Sequence, residues 1–173
     1  MAAREAPGSE VHLHMPGQHR ASPSGKVVKA TDAHSDGATN AWASQCVSPA
    51  RHDVPDCSVE QRVFLRESGR LLASATVSLR HGTNKPTILV QVPLGLALDR
   101  GITLKLDNRR PIKMRVQTCD QSGCYAATVM SRSFLRDMRN SEKLTVRFVA
   151  SNHKPIVVPM SLKGFAAAYK NIQ

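Results

Sequence analysis

The chain has 173 residues, a formal net charge of +11, four cysteines and an aromatic content of 4%. That length suffices for one domain with its own core, and no run approaches the ~20 apolar residues of a membrane-spanning helix. So basic a chain favours anionic partners: nucleic acid, anionic lipid or lipopolysaccharide, or an acidic protein.

The charge is unevenly placed. Residues 1–39 hold four bases (Arg4, Arg20, Lys26, Lys29) and four acids (Glu5, Glu10, Asp32, Asp36), which leaves 20 basic and nine acidic residues from position 40 on. The same 39 residues are rich in Ala, Ser, Gly, Pro and His and show no sustained period of 2 or 3.6. Such a composition cannot bury enough surface to offset the entropy of ordering. It predicts a disordered leader over 1–39 and one domain over 40–173. His12, His14, His19 and His34 match no structural zinc spacing, and neither a metal nor a cofactor is expected. The opening MAAREAPGSEVHLHMPGQHR lacks the apolar core of a secretory signal.

The domain is expected to open at Ala41-Trp42, the single Trp anchoring a first strand through the apolar area it can bury. Cys46 and Cys57 flank a polar, proline-containing loop, and a bridge across it would stabilise by about 2–3 kcal/mol in the chain-entropy model. In an oxidising compartment four cysteines allow three pairings of two bridges. Residues 59–66 read as a strand and Glu67-Ser68-Gly69-Arg70 as a turn. Over 71–80, Leu71, Ala73, Ala75, Val77 and Leu79 alternate with mostly hydroxyl residues, completing a hairpin. Residues 80–86 form a loop holding His81, a solvated histidine, and Ile88, Val90 and Val92 line the next inner face.

Pro93-Leu94-Gly95 must break the ladder, since Pro lacks a donor and Gly tolerates a bulge. Leu96 and Leu98, then Ile102, Leu104 and Leu106, are expected to flank a hairpin turn at Asp99-Arg100-Gly101. A strand over 112–118 turns Ile112, Met114 and Val116 inward, so Lys113 and Arg115 face out beside Arg109 and Arg110. Cys119 and Cys124 flank four residues that include Gly123, which can take a positive φ. Across a hairpin tip they come within disulfide range. A thiol–disulfide exchange pair is the alternative, although such dithiols have C-x-x-C spacing at a helix N-terminus. A short helix over 131–140, capped by Ser131 or Ser133, carries Phe134, Leu135 and Met138 on one side. Leu144, Val146 and Phe148 alternate with Lys143, Thr145 and Arg147 in another strand. Residues 156–159 form a last short strand, and Ser161 caps a closing helical segment over 162–172.

The chain from Trp42 to Lys170 resembles the invasion-associated locus B family of alphaproteobacterial envelope proteins. The likeness rests on the Trp42 and Cys46 start, on Cys57 before a strand, and on Val-Pro-Leu-Gly-Leu-Ala-Leu-Asp-Arg-Gly-Ile at 92–102. Leu106-Asp107, Cys119-x4-Cys124 with Gly123, and Met160-Ser-Leu-Lys-Gly-Phe165 before an Ala-rich helix continue it. It implies a single, mostly-β, antiparallel sandwich-like domain, envelope or extracellular location, disulfide-bonded cysteines, association with host-cell entry and no known enzymatic activity.

Gly-x-Ser-x-Gly, His-Glu-x-x-His and the phosphate-binding glycine loop are all missing from the sequence. The expectation is therefore a non-enzymatic basic binding module, periplasmic or secreted. Its strip of Arg109, Arg110, Lys113, Arg115 and Arg147 would meet an anionic membrane surface or a host or envelope protein. Nucleic-acid binding is the alternative from charge alone, against which stand the lack of a recognised motif and of exposed stacking aromatics.

Overall fold

The computed structural model describes residues 41–48, 55–79 and 85–173. The leader over 1–39, its four histidines and His81 lie outside them. The first four strands are β1 (Ala43–Val47), β2 (Asp56–Phe64), β3 (Leu71–Leu79) and β4 (Thr87–Val92), each antiparallel to the one before. The chain then crosses to a second sheet for β5 (Ile102–Leu106) and β6 (Ile112–Met114). It returns to the first for β7 (Thr118–Asp120) and β8 (Gly123–Val129). Helix α1 (Arg132–Asn140) leads back to the second sheet for β9 (Lys143–Val149) and β10 (Pro155–Ser161), and α2 (Phe165–Lys170) closes the chain. The result is a six-stranded sheet ordered β1-β2-β3-β4-β8-β7 and a four-stranded one ordered β10-β9-β5-β6. It is the mostly-β, antiparallel, sandwich-like architecture that the family resemblance implies.

Period-2 patterning decides which side chains meet between the sheets. Val59, Val77, Ile88 and Val90 are buried on the first sheet, and Leu104, Leu144, Val146 and Met160 on the second. The helices plug the sandwich with Phe134 and Met138 from α1 and Phe165 and Tyr169 from α2. Ser131 is the cap of α1, its hydroxyl accepting from the Phe134 N–H at 3.1 Å. Trp42 is buried, as its size suggests, and its Nε1 donates to the Ser161 carbonyl at 2.9 Å.

Three local expectations fail, for identifiable reasons. Asp99-Arg100-Gly101 is no hairpin turn: Leu98–Arg100 is a single 3-10 turn on the crossover, with Leu98 57% exposed. Residues 112–118 are not one strand. Pairing with β5 ends at Met114, and by Thr118 the chain has joined β8 in the other sheet. Alternation carries no information about which sheet a strand joins. Nor does Ser161 cap the last helix. It ends β10, its Oγ accepts from the Lys163 N–H at 3.2 Å, and Gly164 at φ 86° starts the helix three residues later.

Cys46 faces Cys57 in register across β1 and β2, the two bonded with Cα atoms 4.0 Å apart. Cys119 and Cys124 are likewise bonded across β7 and β8. Since β1 is exposed at all five positions, side-chain packing adds little to hold it. Replacing Cys46 and Cys57 together by Ala is expected to cost about 2–3 kcal/mol in urea unfolding, the closure entropy of that loop. A cost below about 1 kcal/mol would show that the ladder alone secures β1.

Candidate functional site

The two sheets differ sharply in charge. The six strands of the larger sheet carry one base, Arg62, and three acids, Asp56, Glu60 and Asp120. Arg62 is tied to Glu60 at 2.9 Å, the hydrogen bond and then the charge of that carboxylate raising its pKa. The four strands of the smaller sheet carry Lys105, Lys113, Lys143 and Arg147 and no acid. All four are exposed, because each alternates with a buried apolar residue of its strand. Among the described residues none of the four has an ion-pair partner.

Strand register gathers these cations on one face of the sheet. Lys113 and Arg147 both lie opposite Thr103, so one cross-strand row reads Val157, Arg147, Thr103, Lys113. Two strand spacings put the last two cations about 10 Å apart at the backbone. Lys105 lies opposite Thr145, hence diagonal to Lys143, Arg147 and Lys113, about 8 Å from each. Arg115 is exposed one residue beyond β6 and extends the array.

Of the residues named from the sequence, Lys113 and Arg147 therefore share this face, with Arg115 at its border. Arg109 belongs elsewhere: from the β5–β6 turn its guanidinium reaches Asp137 of α1 at 3.9 Å, and Arg110 is exposed in the same turn. Lys105 and Lys143 are the members missed. The Leu-Lys-Leu alternation at 104–106 was a usable signal for the first. Their convergence depends on β9 lying beside β5, which no spacing reveals.

A groove of about 700 Å³ runs beside the face, between Val63, Asp107, residues 141–143 and residues 159–163. The Asp107 carboxylate accepts the backbone N–H groups of Glu142 and Lys143, each at 3.1 Å, so it clamps the β5–β6 turn to the start of β9. Among the described residues no cluster of three or more His, Cys, Asp or Glu could hold a metal. His153 is the one described histidine, exposed at φ 62° in the β9–β10 turn. Burial raises the Tyr169 phenol, opposed in part by the Arg139 guanidinium 5.1 Å from its ring centroid. Desolvation first, and then its bond to Asp120, raises Tyr125. Both tyrosines are occupied by packing or by a turn carboxylate. What this surface offers is fixed positive charge and donors.

Residues 42–173 match the family model described as invasion associated locus B protein. The chain belongs to the invasion associated locus B family. Two invasion protein B homologs of Brucella abortus, from strain 2308 and from biovar 1 strain 9-941, are each 27% identical to it over 133 residues. Each match spans 76% of this chain and 75% of the relative. The crystal structure of invasion associated protein B from Bartonella henselae superposes with a TM-score of 0.68 at 17% identity, covering 78% of this chain and 91% of that one. It shares the fold. Within the invasion associated locus B domain, Trp42 opens the match and α2 lies within it, which ties the two ends of the family segment to one aromatic cluster.

Proposed function

We propose that this member of the invasion associated locus B family is a non-enzymatic envelope protein, periplasmic or secreted, that contributes to interaction with host cells as a basic binding module. The observation carrying this reading is the concentration on one sheet of positive charge that has no ion-pair partner among the described residues. Lys105, Lys113, Lys143 and Arg147 stand on strands without a single acid, while the other sheet's strands bear three acids to one base. Fixed cations on a rigid sheet attract anionic surfaces and form charge-assisted bonds to phosphate or carboxylate. Two disulfides support an oxidising location. Arg109 and Arg110 would serve as flanking contacts. The partner is an anionic membrane surface or a host or envelope protein. Nucleic acid is disfavoured by the absence of exposed aromatic residues from the four strands of the basic sheet, whose single aromatic, Phe148 of β9, is buried in the core.

The charge-reversed variant Lys113→Glu/Arg115→Glu should keep the wild-type melting temperature, since both side chains point into water. Its salt-sensitive association with host cells should fall by at least tenfold, with about fivefold expected from each cation at a charged surface. Unchanged association would remove the basic face from the function.

A further inference from the structure

The basic face has a second, uncharged half. Along β10 the outward residues alternating with buried Val158 and Met160 are Pro155, Val157, Pro159 and Ser161, all exposed or half-buried, with Val157 43% exposed. These lie directly beside Lys143, Thr145, Arg147 and Val149 of β9. The four-stranded sheet therefore presents an apolar column along one edge and a cationic field across β9, β5 and β6. We propose that this face docks on an anionic lipid bilayer, with β10 set at the acyl boundary and Lys105, Lys113, Lys143 and Arg147 among the headgroup phosphates. The inference rests on the proposed role of the basic sheet and names its partner.

Three observations favour lipid over the other occupants. A dissolved polyanion would engage the cations and leave the apolar column in water, whereas a bilayer interface accepts both in one plane. Strand addition by a protein partner needs donors on the open edge, and among the described residues β10 pairs only with β9 while carrying Pro155 and Pro159, which have no N–H. The same prolines remove backbone donors that would otherwise be stripped of water at the membrane. The cations also stand on one face of mutually paired strands, so they reach the surface together. At about fivefold per cation, four of them give an association that is reversible and salt-dependent.

The test is sedimentation of the full chain with vesicles of phosphatidylcholine and phosphatidylglycerol in equal parts, with pure phosphatidylcholine vesicles and a heparin column run in parallel. The wild type should sediment with the mixed vesicles, and salt should release it. Lys105→Glu/Arg147→Glu should weaken that binding about 25-fold or more and elute earlier from heparin. Val157→Ser keeps the charge and should weaken vesicle binding roughly tenfold through the loss of two inserted methyl groups, with heparin elution unchanged. All three substituted side chains point outward, and unaltered melting temperatures establish that the two variants are folded. If Val157→Ser binds mixed vesicles like the wild type, β10 does not insert and the inference is overturned while the basic-module reading stands. Retention on heparin without any vesicle binding has the same meaning. Binding to neither probe sinks both.

Discussion

Phe165→Ala is expected to lose about 3–5 kcal/mol of folding stability, because a fully buried aromatic ring is exchanged for a cavity. Phe165 is 0% exposed, and its ring lies 4.9 Å from Trp42 in an edge-on arrangement and 5.7 Å from Tyr169. It therefore joins the start of the domain to its closing helix. α2 has only six residues, too few to hold a helix by its own hydrogen bonds, so its place depends on these contacts. Trp42 is the only tryptophan in the chain, which makes the outcome readable without a label. Its emission should shift to the red in the folded variant as α2 loosens, and the urea midpoint should drop at an unchanged slope. Phe165→Leu, which nearly conserves volume, should cost less than about 1.5 kcal/mol. Equal losses from the two substitutions would mean that the cavity is not what the protein feels.

How far the fold can be read from sequence is clearest where it fails. The hairpin of β2 and β3 was legible because its turn is short and its alternation is long: Val59 faces Val77 and Val63 faces Ala73 as the inward pattern requires. Helix α1 was legible from Ser131 and the spacing of Phe134 and Met138. The path from Val92 to Thr118 was not. Its apolar residues alternate just as well whether consecutive strands pair with each other or lie in opposite sheets, and β4 and β5 do the latter. The same ambiguity hid half of the candidate site. Lys113 and Arg147 are 34 positions apart in sequence, yet only Thr103 lies between them in the sheet. Charge signs were readable throughout; their assembly into one face needed the strand order. Arg109 is the converse case: near Lys113 in sequence, it stands on the β5–β6 turn outside the row of strand cations, its guanidinium 3.9 Å from Asp137.

Gly101 marks the end of the misread crossover, and Gly101→Ala is expected to cost at least about 3 kcal/mol, from two additive causes. The first is conformational: φ is 67° with ψ at −166°, a region essentially restricted to glycine, where any other residue carries about 1–3 kcal/mol of strain. The second is steric: a Cβ at this position would overlap the Met114 backbone carbonyl of β6. That carbonyl cannot swing aside cheaply, since Met114 is paired with Ile102 in the β5–β6 ladder. Gly95, on the same crossover, separates the two causes. Its φ is 84°, but a Cβ there would meet nothing within 4 Å, so Gly95→Ala should cost only the conformational part, about 1 kcal/mol. The comparison is made by urea unfolding of the two variants beside the wild type, with salt-dependent host-cell association as a second readout. Relief of the Gly101 collision must move β6, and with it Lys113, relative to Arg147, so the Gly101 variant should bind more weakly even where it remains folded. The Gly95 variant should bind as the wild type does. Equal costs at the two glycines would place β6 further from the crossover than the fold requires.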